Sequence, residues 1–260
     1  MNRNLKILIL AGLLSLACTT RVSEWVLLNA LPNQYTLVYF HKGQLTADQK
    51  KENSDVTESL KNANIQFRTA TREDISTPWY GLYYENRLFS NYESPAAIRN
   101  LTSSPLRQKV ATELMAGKLC VMVYLKTDNK EKDDKGISIL KKALTASPFG
   151  EIIEVVEISR HSKEEAHFAS LLLNVEDDLK KIQEPMLFGV FGRFKALEPL
   201  LGNGITEENI NLLIDYLTAE CSCLIKDDLP GTDILFTANW DNPQPALLNN
   251  MIDANPLLGN

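Results

Sequence analysis

Four cysteines and three histidines are the side chains of this chain best suited to chemistry, and their spacing narrows what they can do. Cys221-Ser222-Cys223 is the densest group. In an extended strand residues i and i+2 share a face, so both thiols could bind one metal ion or exchange with a disulfide partner. Their Cα atoms would stand roughly 6.5–7 Å apart, at the upper limit for a disulfide, so a direct bridge would be strained and easily reduced. Pairing of Cys120 with one of them would instead staple the second half of the chain. Cys120 lies among Leu119, Val121 and Met122, the surroundings of a buried apolar residue. Cys221, Cys223 and Cys120 are therefore candidates for structural cysteines, for a redox pair, or for part of a metal site. Only two sulfur ligands are local, whereas zinc takes four ligands, so no metal is expected. Asp227, Asp228, Asp233 and Asp241 could add oxygen ligands, but around Pro230-Gly231 they read as turn and surface residues.

His41 stands at the end of an apolar run, where a lone histidine is more often exposed or bonded to backbone than catalytic. His161 and His167 flank Glu164-Glu165; His161 and Glu165 are four apart and could share a helix face, yet no spacing matches a zinc signature. The sequence contains no Gly-x-Ser-x-Gly elbow and no Gly-rich phosphate loop. Gly202-Asn203-Gly204 reads as a turn before a helix, only a weak anion site. No catalytic residue and no cofactor is expected.

Cys18 differs from the other cysteines. Arg3 and Lys6 precede an almost continuous apolar run from Ile7 to Leu16, and Ala17-Cys18 follow. So short a core fits an export signal rather than a membrane span. Ser15-Leu16-Ala17-Cys18 resembles the processing site of bacterial lipoproteins, which implies a lipid on Cys18, a membrane anchor and a body facing the periplasm. Ser15 and Ala17 also satisfy ordinary signal peptidase, which would give a secreted protein. Thr19 is not the aspartate associated with retention at the inner membrane.

The chain of 260 residues carries a net charge of −6, and removing Arg3 and Lys6 makes the remainder more acidic. An acidic body without clustered Lys and Arg disfavours nucleic acid as a partner. The remaining length suits one large domain or two of about 100 residues each.

Those candidates must be positioned by an α/β fold. A helix around Trp25–Leu31 precedes a buried strand at Tyr35–Phe40. Thr46 with Gln49 forms a capping box that opens a helix to about Asn62, and Ile65–Ala70 is the next strand. Pro78 precedes a hairpin of Trp79–Tyr84 and Leu88–Tyr92, and Pro95 starts another helix. The order then repeats. Cys120–Leu125 is a strand, Asp128 with Glu131 caps a helix to about Ala146, and Ile152–Ile158 is a strand. Glu164–Ile182 contains helix, Met186–Phe191 and Lys195–Leu200 form a hairpin, and Thr206 with Asn209 opens a last helix ending near Glu220. Leu106, Val110 and Leu114 mark an amphipathic helix between the halves. Residues 242–260 read as a loose tail with one short helix near Ala246–Ile252.

Two copies of strand–helix–strand, then proline, hairpin and helix, resemble the thioredoxin fold, with Thr77-Pro78 and Glu184-Pro185 at the places where thioredoxins carry a cis-proline. The resemblance implies two thioredoxin-like domains in tandem joined by a helix. The boundaries are a signal peptide at 1–17, a first domain at 18–104, a connecting helix at 105–116, a second domain at 117–225, and an extension and tail at 226–260. Thioredoxin chemistry needs Cys-x-x-Cys where the first strand meets its helix, because the helix N-terminus stabilises the thiolate. Those positions read His41-Lys42-Gly43-Gln44-Leu45-Thr46 and Thr127-Asp128-Asn129-Lys130-Glu131, with no cysteine. Residues 186–241, with Phe188, Gly192-Arg193, Gly204-Ile205, Cys221-Ser222-Cys223, Pro230-Gly231 and Trp240-Asp241, also resemble a family of exported bacterial proteins without a known activity.

Two functions compete. In one, redox-inactive thioredoxin-like domains form a non-catalytic envelope scaffold or protein-binding module. In the other, Cys221 and Cys223 make an atypical thiol–disulfide oxidoreductase or chaperone. The sequence favours the first, with an unidentified protein as partner.

Overall fold

The run Tyr35-Thr36-Leu37-Val38-Tyr39-Phe40 alternates large apolar with smaller side chains, and it forms the central strand β1 (Tyr35–His41), with Tyr35, Leu37 and Tyr39 buried on one face. The computed structural model describes residues 21–127, 129–219 and 229–240, an α/β molecule with two sheets and, among those residues, six α-helices.

Around β1 stand α1 (Val22–Asn29), α2 (Ala47–Ser59), β2 (Ile65–Thr71), β3 (Trp79–Tyr84) and β4 (Arg87–Tyr92). The sheet order is β2-β1-β3-β4, with β1 and β2 parallel and the other pairs antiparallel. The Thr46–Gln49 capping box forms in both directions: Gln49 N donates to Thr46 Oγ1 at 3.2 Å and Thr46 N to Gln49 Oε1 at 3.0 Å. Glu85 and Asn86 both take positive φ, as a two-residue hairpin loop requires. Pro95–Ile98 is a single 3-10 turn rather than a full helix.

The connecting helix α3 (Pro105–Met115) packs on the second sheet. That half comprises β5 (Cys120–Lys126), α4 (Lys130–Ala146), β6 (Ile153–Ser159), α5 (Ala166–Leu172), β7 (Met186–Phe191), β8 (Lys195–Ala196), β9 (Leu200–Leu201), α6 (Glu207–Thr218) and β10 (Thr232–Asp233). Its order, β10-β8-β7-β5-β6, repeats the first: β5 and β6 are parallel, and β7 is antiparallel to β5. Alternate residues of β5 divide between two cores. Val121, Val123 and Leu125 join a cluster that also takes Tyr35, Leu37 and Leu82 from the first sheet; Cys120, Met122 and Tyr124 face α4, α6 and α1.

Several sequence expectations are corrected. Asn129, not Asp128, caps α4, its Oδ1 accepting from Lys132 N at 3.1 Å; Asn and Asp cap equally well, so residue type could not fix the register. The expected strand Lys195–Leu200 divides into β8 and β9, because Pro199 has no N–H to give a ladder. The helix expected within Glu164–Ile182 ends at Leu172, followed by turns and a 3-10 segment at Leu179–Lys181. The bonds before Pro78 and Pro185 are trans, not cis. The short helix expected near Ala246–Ile252 lies outside the described residues.

Residues 229–240 do more than extend the second half. β10 lengthens the second sheet, and Ile234, Leu235 and Phe236 then run buried between the halves. Phe236 stacks on Phe194 at 3.9 Å. Asn64, at the foot of β2, donates Nδ2 to Ile234 O at 3.3 Å and accepts Phe236 N at Oδ1 at 2.9 Å. A side-chain amide that mimics a backbone unit in this way ties a strap across the sheets. Gly192 lets α1 close on the same half: it has positive φ, and a Cβ there would meet Val26 Cγ1 at 2.2 Å.

Candidate functional site

In each half the first strand ends beside the proline that precedes the third. Phe40 pairs with Trp79, which sets Pro78 next to His41, and Leu125 pairs with Met186, which sets Pro185 next to Lys126. The thioredoxin-like expectation would put reactive cysteines at these two strand ends.

In the second half a groove of about 500 Å³ opens at this place. One wall is the first turns of α4, with Asn129, Lys132, Lys135 and Ile139. The other is Glu184-Pro185 with Gly202, Asn203, Ile205 and Thr206. Its size is that of a ligand pocket. Lys132 Nζ bridges the walls to Glu184 Oε1, and Gly202 N donates to Pro185 O at 2.9 Å, which fixes the far rim. Tyr124 supports the floor from beneath: its hydroxyl donates to Asp133 O at 3.1 Å, passing over Gly136, where a Cβ would meet the phenol oxygen at 2.2 Å. The lining offers amides, an ion pair, a hydroxyl and apolar carbon, but no thiol and no imidazole. It can bind; it holds no thiol for exchange.

In the first half the same position is occupied by His41. It is buried, its ring stacks against Tyr39, and Nδ1 meets Gly43 O at 3.1 Å. The histidine thus ends β1 and ties it to the loop that leads into α2.

Cys120 is free and wholly buried on β5, so burial pushes its thiol far above the ordinary range and leaves it inert. Of the roles open to Cys120, its free thiol and complete burial fit the apolar one suggested by Leu119, Val121 and Met122. Cys18, Cys221 and Cys223 lie outside the described residues, as do Asp227, Asp228 and Asp241. Asp233 is not a surface turn residue: it is buried, pairs with Lys195 at 3.1 Å, and accepts Asn33 N at 3.1 Å.

His161 and Glu165 share no helix face, because α5 begins only at Ala166. Glu165 is instead buried, accepting Leu106 N at 2.8 Å and the Ser104 hydroxyl. His167 Nε2 lies 3.0 Å from Ala97 O against Tyr92, and burial lowers its pKa. Among the described residues no three His, Cys, Asp or Glu side chains converge as a metal site would need.

Sequence reasoning missed the most buried charge, Arg107, which has no exposed surface. Its Nε donates to Ser104 Oγ at 3.0 Å, Nη1 to Leu101 O at 2.7 Å and Leu235 O at 3.2 Å, and Nη2 to Asn100 O. Ser104 passes the contact on to Glu165. Burial lowers the Arg107 pKa to about 10, opposed by the nearby Glu165 charge. This network joins the first half, the connecting helix, the second half and the strap, so its role is structural. The signal was present: Arg107, Ala111 and Leu114 fall on one helical stripe, which puts a guanidinium among apolar residues.

Comparison with known proteins adds no relative: no protein-family model matches the chain, and no curated protein matches it.

Proposed function

We propose that this chain is an exported, lipid-anchored envelope protein in which two tandem thioredoxin-like repeats, lacking thiol chemistry, form a scaffold that binds another protein. The parallel first pair and antiparallel third strand, present in both sheets, support the thioredoxin-like reading. One observation carries the function. At the strand end where such a fold would place its reactive thiol, the second half has a groove lined by Asn129, Lys132, Glu184 and Asn203. Amides and an opposed ion pair recognise polar backbone and charged side chains, whereas Pro185, Ile139 and Ile205 supply apolar contact. That combination suits a polypeptide segment. The lipid on Cys18 holds the scaffold on the membrane, and the acidic body faces the periplasm.

The test is thiol exchange by the intact protein and by a Cys221→Ser, Cys223→Ser double variant, measured as insulin reduction in the presence of dithiothreitol. The scaffold reading predicts no acceleration by either. Acceleration by the wild type that vanishes in a normally folded double variant would make the protein an oxidoreductase instead.

A further inference from the structure

Glu24 is the third residue of α1, and it is only 6 % exposed, with Oε1 buried and without a hydrogen-bond partner. Ser23 beside it is 4 % exposed, and its buried hydroxyl also lacks a partner. Both side chains line one small cavity, closed by Leu27 on the same helix, by Leu114 and Leu119 where α3 turns into β5, and by Gly192. The cavity measures about 10 Å³, room for one water at most. An ionised carboxylate offers about four acceptor sites, so one water cannot replace its hydration. Glu24 is placed well as a neutral carboxyl and badly as a charge.

The charged groups around it do not offset that cost. Arg21, at the start of α1, gives one backbone hydrogen bond and a favourable charge, but burial outweighs both and raises the Glu24 pKa above 4.5. Lys118 lines the same cavity, yet its Nζ donates to Glu151 O at 2.7 Å. Arg193, from the β7–β8 turn, spends its guanidinium on Leu27 O at 2.8 Å and Leu28 O at 3.1 Å. Glu113 on α3 and Asp215 on α6 carry the same sign as Glu24, and Cys120 on β5 and Tyr216 on α6 are neutral groups.

We propose that α1 is a latch set by pH: it seats fully on the second half while Glu24 is protonated, and it loosens once that carboxyl gives its proton to solvent. The contacts at its two ends do not involve Glu24, since Val22 N donates to Ala219 O at 3.0 Å and Arg193 holds Leu27 and Leu28. Ionisation therefore loosens a helix that stays tethered, and it uncovers the apolar cluster that Val22 and Val26 share with Phe191, Ile214 and Leu217. Below pH 4.5 the carboxyl is neutral whether α1 is seated or loose, and seating is at its strongest. Above 4.5 the loose helix gives up its proton first, so seating weakens with rising pH until the seated carboxyl also ionises, and then levels off.

The experiment is amide hydrogen exchange on the full chain from about pH 4 to about pH 8, corrected for the intrinsic pH dependence of exchange. The expected result is that protection of Val26–Asn29 falls as pH rises above 4.5, by up to about tenfold per pH unit, the limit for a single proton, while Val121–Leu125 on β5 keep theirs. Glu24→Gln, which keeps the shape of the neutral carboxyl, should hold the acid level of protection at every pH. Wild-type protection that does not change with pH, or a Gln variant whose protection falls as steeply, overturns the latch. The Glu24 carboxyl carbon resonance supplies a reading that needs no variant: it should titrate above 4.5 in step with the loss of protection, and titration at or below 4.5 overturns the proposal even where Glu24→Gln fails to seat α1.

Discussion

The two sheets share a strand order but not a setting. In the second, β5 and β7 are buried on both faces: one set of alternate residues enters the shared core, and the other meets α1, α4 and α6. In the first, β1 buries Tyr35, Leu37 and Tyr39, whereas Thr36 and Val38 on the other face are only half covered. The first half has no helix between β2 and β3, where the second has α5, and the helix after its hairpin, α3, packs on β5 and β6 instead. The same order of strands therefore gives a sheet covered on both faces in one half and a sheet fully covered on only one face in the other. The first sheet completes its core with residues of the second and is held there by Arg107 and the 229–240 strap.

That dependence is broken most severely at Arg107. Arg107→Ala would leave the Leu101, Asn100 and Leu235 carbonyls without their donor and Glu165 without its countercharge, a loss of about 3–5 kcal/mol. Urea denaturation followed at the first-sheet aromatics should show that half yielding first; a loss below about 1 kcal/mol would mean the halves do not rely on this contact. Gly192→Ala strikes the doubly covered sheet where α1 closes on it, forcing a side chain into positive φ and into Val26, at a cost of about 2–3 kcal/mol. Thermal unfolding measures it, and a neutral outcome would show that α1 is not fixed where it lies.

Smaller changes sharpen the same contrast. Tyr35→Phe removes the bond from the first sheet to Asp233 O, 2.9 Å long, and should cost about 1 kcal/mol in urea denaturation. His167 lies where the halves meet, and burial holds its pKa below 6.5. The unfolded imidazole binds a proton at higher pH than the folded one. Stability should therefore fall as pH drops from 6.5 toward the lowered folded value, then level off below it. His167→Gln should flatten that part of the stability–pH curve; an unchanged slope would assign it to another group.

The difference between the sheets was partly legible in the sequence. Cys120–Leu125 and Met186–Phe191 are unbroken apolar runs, the mark of strands covered on both faces, whereas Gln66, Arg68 and Thr69 in β2 announce an exposed edge. The capping box at Thr46 and the cap at Thr206 located two helix starts because each is a local, short-range arrangement. The strap was not legible. Asp233 stands near Pro230-Gly231, and local composition there says turn; its burial depends on Lys195 and Asn33, distant in sequence. Glu165 was obscure for the same reason, satisfied by groups from separate elements, whereas for Arg107 the helical stripe signalled burial and only the partners were hidden. The groove followed the same division: its position came from the element order, but its lining needed Asn203 and Glu184 to be brought opposite Lys132.

The most direct test is peptide mass spectrometry of protein purified from the envelope, with free thiols alkylated before reduction. The account predicts an acylated Cys18, a Cys120 that reacts only after unfolding, and no rapidly alkylated pair at Cys221 and Cys223. An unlipidated chain, or a partly reduced Cys221–Cys223 pair that alkylates at once in the folded protein, would contradict it.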